Sequence, residues 1–356
     1  MAYLEFNGIR IAGIAASVPD TIVENTSASV KSADYDAEDF VKTTGVRQRR
    51  ISKVLTSQDL SYAAAEKIIS DLKWDKSEIG ALVFVSQTMD YTLPATACIL
   101  QDRLGLSKEC AALDIAVGCS GWVYGLTTIA GLLKGGGKRA LLLNGEARHR
   151  VEMDDPLFGY AGTATALEAC DDAESLKIHL GTDGDGFDAI IIPDGGCRNP
   201  INSKSFETEI IDGKEYNRLQ YRMKGMDVFS FGISTAPKSI KGLAEHFGFD
   251  YHDADFIMLH QANLKMNDFI TKKLKVTPDR VPTNMEFYGN TSSCSIPLNI
   301  VTELRDKNRS KGMHLICCGF GVGLSWGTAY VYIDNRCLIS NLVEVSDNEI
   351  NGKYIV

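Results

Sequence analysis

The chain has 356 residues, 44% hydrophobic and 23% charged, with a formal net charge of -9, the make-up of a globular protein with apolar material for more than one core. Its acidic balance argues against nucleic acid as a partner, and no apolar run reaches bilayer-spanning length, so neither nucleic acid nor membrane is expected to be bound. Nine cysteines without a CxxC pair point to a reducing, cytoplasmic setting rather than a disulfide framework or a metal centre.

In chain order, Ile9 to Ala16 reads as a strand, Asp36 to Thr44 as a short helix stopped at Gly45, and Ser57 to Leu72 as a helix with Leu60, Ala64, Ile68 and Leu72 on one face. Between these helices Arg47, Arg49 and Arg50 form a basic run, either a solvated face or a site for an acidic partner. A strand from Ala81 to Ser86, a helix from Pro94 to Leu104, a buried strand from Ala111 to Val117 and a helix from Ser120 to Leu133 follow. Gly135-Gly136-Gly137 stands between a helix and the strand Arg139 to Leu143; that context makes it a turn rather than a phosphate loop. Asp183-Gly184-Asp185-Gly186 lacks the later glutamate of a calcium loop and also reads as a turn.

The second half repeats the pattern: a helix from Ser230 to Phe247, a strand from Phe256 to Leu259, a helix from Asn263 to Leu274, a helix after Asn290, and strands from Leu315 to Cys318 and Trp326 to Ile333. Such alternation predicts an α/β protein with mainly parallel or mixed sheets covered on both faces. The expected division is an N-terminal half over 1–175, a C-terminal half over 176–334 and a polar tail over 335–356 without an assigned role. Two similar halves would bring their strand ends to one pocket, where ligands sit in open α/β sheets.

Cys119 follows a buried strand and opens a helix, so unpaired N–H groups and the helix dipole should favour its thiolate; the alternative is a small buried hydrophobe. His260 ends the apolar run Phe256-Ile257-Met258-Leu259, as a catalyst or as a structural hydrogen-bonder. Asn290 precedes an apolar helix and is either a site residue or its N-cap. The turn Gly319-Phe320-Gly321-Val322-Gly323 follows a strand and suits an oxyanion hole. Cysteine, histidine and asparagine in this order admit two chemistries. In one, His260 takes the thiol proton and the site hydrolyses esters or amides. In the other, His260 and Asn290 donate hydrogen bonds to a thioester carbonyl and stabilise an enolate.

Asp114-Ile115-Ala116-Val117-Gly118-Cys119-Ser120-Gly121, His260-Gln261-Ala262-Asn263, Gly289-Asn290-Thr291-Ser292 and the stretch from Gly319 to Gly327 together resemble the β-ketoacyl-acyl-carrier-protein synthase III family, of the thiolase fold. Thr44 to Arg50 and Met223 to Phe229 add to the likeness, which runs from about Ile9 to Ile333. Chalcone-type synthases share the Cys-His-Asn set but lack the Gln-Ala-Asn that follows His260 here.

The resemblance implies duplicated α-β-α-β-α layers in two pseudo-symmetric halves. It implies a decarboxylating Claisen condensation, in fatty acid or specialised polyketide-like synthesis, with no cofactor and no metal. Cys119 would carry the acyl group, its oxyanion held by the Cys119 N–H and the turn Gly321, Val322, Gly323. His260 and Asn290 would hold the enolate of a malonyl thioester on acyl carrier protein. Leu93, Gly225, Phe229, Ala262 and Asn263 would contact substrate, Leu93 by crossing a homodimer interface. Lys265, Lys272 and Lys273 would attract the acidic carrier protein, or are ordinary solvated lysines. An acyltransferase of the same fold acting on an alcohol or amine, and a cysteine hydrolase, are the competing readings.

Several positions depart from the family pattern. Asp39 stands where a tryptophan that stacks on CoA is frequent, Met226 where an asparagine is, and Leu93 where a phenylalanine is. Phe158-Gly159-Tyr160-Ala161-Gly162-Thr163 replaces a Phe-Gly-Asp-Gly-Ala-Gly segment, and the loop before it lacks the family's arginine. Asp39 and Met226 weaken the case for CoA as donor, and the smaller Leu93 points to a longer or branched acyl group.

Overall fold

The computed structural model describes residues 2–26, 36–148, 155–211, 214–307, 310–349 and 352–354. In the first half the main elements are β1 (Ala2–Phe6), β2 (Ile9–Pro19), α1 (Ala37–Thr44), α2 (Ser57–Leu72), β3 (Ile79–Val85), α3 (Thr96–Arg103), β4 (Ala111–Ile115), α4 (Gly121–Lys134), β5 (Arg139–Glu146) and β6 (Ala161–Ala169). In the second they are β7 (Leu176–Thr182), α5 (Gly225–Phe247), β8 (Phe256–Leu259), α6 (Leu264–Leu274), α7 (Ser295–Leu304), β9 (Met313–Gly321), β10 (Ser325–Ile333), β11 (Leu338–Ile339) and β12 (Val343–Val345).

Two sheets carry the fold. The first runs β11-β2-β6-β5-β3-β4, with β12 also on β2, and the second runs β1-β7-β10-β9-β8. Within them β2-β6-β5-β3 and β7-β10-β9-β8 share one plan: each first strand is antiparallel to the second, the second antiparallel to the third, the third parallel to the fourth. The sheets are mixed rather than mainly parallel. Helices α4 and α7 each pack against strands of both sheets, α2 covers the far side of the first sheet, and α5 covers the far side of the second, with α6 against it. The layers are α-β-α-β-α, the thiolase arrangement the motifs imply.

Local sequence explains these contacts. α2 begins with a capping box: the Thr56 N–H donates to Asp59 Oδ2 at 2.9 Å, and the Thr56 hydroxyl accepts from the Asp59 N–H. Its first turns lie directly on β6, where a Cβ on Gly162 would stand 2.2 Å from the Leu60 carbonyl carbon, so only glycine permits that approach. α4 is apolar all round because it is buried between sheets, and Trp122 closes its first turn by donating Nε1–H to Thr165 Oγ1 at 3.0 Å.

Two segments depart from the expected division at residue 175. β1, from the N-terminal half, pairs antiparallel with β7 in the second sheet. From the tail, β11 and β12 pair parallel with β2 in the first. The physical reason is edge protection: β7 and β2 would otherwise expose unpaired backbone along a sheet edge.

Candidate active site

The duplication sends equivalent loops to one place. α4 leads into β5 as α7 leads into β9, and both buried helices begin at the same cavity, where the chain before α4 supplies Cys119 and the chain before α7 supplies Asn290. The loops after β3 and β8 supply Gln87 and Thr88 on one side and His260 on the other. The cavity is about 320 Å³, and Leu157, Phe158, Ile190, Ile191, Met223 and Val228 give it an apolar wall.

Cys119 is half-buried at the base. Burial pushes its thiol above the ordinary value, and Glu146 adds to that rise. Arg148, the Ser292 hydroxyl and the Val322 N–H act in the opposite direction. The net direction is upward, so desolvation outweighs the helix start from which an easier thiolate is expected. By strict geometry the buried Ser292 hydroxyl lacks a hydrogen-bond partner, which leaves it available to the sulfur. Gly321 must be glycine, because a Cβ there would stand 2.8 Å from Cys119 Sγ.

His260 is 2% exposed, and burial pushes its imidazole down to about 3, so the ring is neutral at physiological pH. Its backbone N–H donates to the Cys318 carbonyl at 2.9 Å, and the ring Nδ1 lies 2.7 Å from the Ser295 hydroxyl at the start of α7. With Ser295 donating to Nδ1, the proton resides on Nε2, on the side away from α7. Among the described residues no hydrogen bond joins His260 to the Cys119 thiol. Asn290 is held at both ends of its backbone: its N–H donates to the Leu157 carbonyl at 2.8 Å, and its carbonyl accepts from the Gly159 N–H at 3.2 Å. Its Oδ1 accepts from the Ser292 N–H at 2.9 Å, which turns the amide NH₂ outward as a donor. α7 begins five residues later with Cys294 as its cap, so Asn290 is not the N-cap.

The structure brings together Cys119, His260, Asn290, Gly321, Val322, Ala262 and Asn263 around the cavity. Asn263 also caps α6, its Oδ1 accepting from the Met266 N–H at 2.8 Å. Gly323 lies just beyond the lining residues. Two expected substrate contacts fall elsewhere, and Leu93, expected to act across a dimer interface, lies outside this cavity. Phe229 packs edge-on against Phe269 in the α5–α6 core, and its neighbour Val228 lines the wall instead, since one residue on a helix turns the side chain by about 100°. Gly225 is exposed at the first residue of α5, and Leu93 is 81% exposed in the loop before α3.

The arginine run is structural. Arg47 pairs with Glu286 at 3.0 Å, Arg49 is buried with its Nε donating to Asn25 Oδ1 at 3.0 Å, and Arg50 pairs with Glu344 at 2.8 Å. Lys265, Lys272 and Lys273 are all exposed on α6. No cluster of residues suited to a metal ion occurs among the described residues, and no described helix is long and apolar enough to cross a membrane.

Glu146 and Arg148 escape sequence reading, because only the end of β5 meeting the loop after β3 brings them to the site. Glu146 is buried, accepts from Thr88 Oγ1 at 3.1 Å and Ser293 Oγ at 3.2 Å, and is pushed upward by burial. Arg148 stacks in the cavity wall, 3.8 Å above the Phe158 ring.

A duplicated fold that aims a thiol, an imidazole and an amide into one apolar pocket belongs to the thiolase class of condensing proteins. Residues 113–184 match the family model "3-Oxoacyl-[acyl-carrier-protein (ACP)] synthase III", and residues 244–333 match the model of its C-terminal part. A putative 3-oxoacyl-[acyl-carrier-protein] synthase 3 from Campylobacter jejuni is 33% identical over 91% of this chain and 94% of its own length. A β-ketoacyl-[acyl-carrier-protein] synthase III from Clostridium acetobutylicum is 32% identical over 90% and 98%. The crystal structure of a 3-oxoacyl-(acyl-carrier protein) synthase from Burkholderia xenovorans superposes with a TM-score of 0.88 at 37% identity, covering 97% of this chain and 99% of that one. The chain belongs to the β-ketoacyl-[acyl-carrier-protein] synthase III family.

Proposed function

We propose that the chain is an acyltransferase of the condensing type. It joins an acyl group held on Cys119 to a malonyl-type thioester carried by acyl carrier protein and releases CO₂ and a β-ketoacyl product. The observation that carries this reading is the make-up of the cavity: Cys119, Val322, His260 and Asn290 line it together, the imidazole is neutral, and among the described residues no hydrogen bond joins His260 to the thiol.

The Cys119 sulfur attacks the donor thioester carbonyl, the Cys119 and Val322 N–H groups hold the oxyanion, and the proton of the Cys119 thiol passes to the donor sulfur, which leaves as a thiol. The malonyl thioester then enters with its carbonyl oxygen between His260 Nε2–H and Asn290 Nδ2–H. Loss of CO₂ leaves an enolate on that oxygen. Its carbon attacks the acyl-Cys119 carbonyl, the C–S bond breaks, and the sulfur leaves as a thiolate. Two neutral donors suit this step because they stabilise charge where it develops without holding the departing carboxylate.

The carrier protein docks beside Lys265, Lys272 and Lys273, a basic stripe on an acidic molecule. The protein works as a homodimer: β4 ends its sheet with the mostly apolar edge Ala111-Ala112-Leu113-Asp114-Ile115, and Leu93 is a large exposed apolar side chain. Adjacent unpaired thiols at Cys317 and Cys318 fit a cytoplasmic setting. A C-terminal division at residues 176–334 keeps His260 and Asn290 on one unit and Cys119 on the other.

Intact-mass analysis after exposure to acyl thioesters tests the reading. An acyl adduct absent from Cys119→Ala is expected, and His260→Ala should acylate yet release no CO₂ from malonyl thioester. Loss of acylation in His260→Ala would instead make the histidine a base toward the thiol, as in a hydrolase.

A further inference from the structure

Among the described residues that line the cavity, Arg148 alone carries a fixed charge. Its guanidinium carbon lies 3.8 Å from the centroid of Phe158 and 5.5 Å from that of Tyr221, whose rings meet edge to face at 5.4 Å. Contact with the Phe158 face and the Tyr221 ring beside it holds the group in place without using its N–H donors. None of those donors makes an ion pair or hydrogen bond among the described residues; only the Arg148 carbonyl is engaged, accepting from the Tyr160 hydroxyl at 3.1 Å. The nearby carboxylates are committed elsewhere: Glu146 to Thr88 and Ser293, Asp155 to the Tyr221 hydroxyl and the Leu157 N–H.

The Glu146 charge lies nearby, but among the described residues no group hydrogen-bonds the guanidinium, and such a group is costly to keep in an apolar pocket. Its planar fork of free donors matches a carboxylate in two parallel hydrogen bonds. We propose that Arg148 selects an acyl donor bearing a carboxylate at the end remote from its thioester, a half-thioester of a short dicarboxylic acid. Ile190, Ile191 and Val228 would cover the methylenes between the two ends. The other carboxylate that enters the site is that of the malonyl group, and the chemistry excludes it as the intended partner. A cation paired with that carboxylate stabilises the ground state and opposes its loss as CO₂. This assignment rests on the proposed role of Cys119 as acyl carrier.

The test compares acylation of Cys119 by glutaryl- and hexanoyl-N-acetylcysteamine, followed by intact mass. The wild type should prefer glutaryl. In R148L the glutaryl-to-hexanoyl ratio should fall about 10- to 100-fold, the scale of a lost hydrogen-bonded charge pair; the ratio cancels any slowing common to both donors from loss of the cation beside Cys119. R148K, which keeps the charge but not the fork, should fall between and shows whether the leucine variant merely misfolds. An unchanged ratio in both variants, or a wild type that prefers hexanoyl, overturns the proposal. So does a defect confined to CO₂ release from malonyl thioester. Absence of any Cys119 adduct with either donor would refute the acyl-carrier role itself, a result separable from a lost preference.

Discussion

His260 Nδ1 and the Ser295 hydroxyl lie 2.7 Å apart, and this contact ties the end of β8 to the first residue of α7. It fixes the ring plane of a buried, neutral histidine and, with the hydroxyl as donor, leaves the ring proton on Nε2. Ser295→Ala leaves Nδ1 without a partner, at a cost of about 1–3 kcal/mol in the step that needs Nε2–H. CO₂ release from malonyl thioester should therefore fall about 5- to 150-fold while Cys119 acylation, followed by mass, stays near wild type. Equal loss in both assays would remove the orienting role.

Gly321→Ala should silence the first half-reaction. The added methyl would stand 2.7 Å from Cys119 Cβ and 2.8 Å from Sγ, closer than such atoms pack, so the thiol must move off its backbone donor. An oxyanion-hole loss of about 100-fold or more in acylation is expected, against about 1–3 kcal/mol of overpacking in a urea melt. Normal acylation by this variant would show that the turn does not serve the thiol.

Two pH dependences follow. Because burial raises the Cys119 thiol, its alkylation by iodoacetamide should be slow at neutral pH and still climbing above pH 9, where an unperturbed surface cysteine levels off. The His260 ring falls from its ordinary 6.5 to about 3, so the unfolded chain binds a proton there that the folded one refuses. That contribution to stability is complete above 6.5 and is lost as pH drops from 6.5 towards about 3. Urea midpoints of wild type and His260→Asn should converge over this interval; parallel curves would mean that the buried ring does not resist protonation.

Reversing charge at Lys265, Lys272 and Lys273 together should weaken carrier-protein binding and remove its salt dependence, with reaction of a small soluble thioester intact. Comparable loss for both substrates would place the lysines in a structural role instead.

Much of this site is legible in the sequence because its chemistry sits at element boundaries. Phe256 to Leu259 is a buried strand ending at His260, and small residues after Asp114 deliver Cys119 to a helix start. What escaped depends on packing between distant segments. β6 was missed because Ala161 to Ala169 is made of small residues, a composition that makes sense only once α2 is seen lying on it. β7 alternates Lys177 and His179 with buried Leu176 and Ile178, a short half-polar pattern easily taken for a loop. The phase of α5 placed Val228 rather than Phe229 at the cavity, and the cation Arg148 became a site residue only through the two rings beneath it. The thiolate expectation failed in sign because a helix start favours negative charge by a modest amount, whereas removal from water acts on the whole ion.

The exchange of edge strands bears on how the protein is made. Leu338 and Ile339 pair with Gly13 and Ile14, and Val343 to Val345 with Ser17 to Pro19, so β2 emerges from the ribosome more than 300 residues before its outer neighbours. Throughout that interval a long apolar strand has one open flank. The nascent chain is therefore most vulnerable to mispairing at the edge that the mature protein covers last.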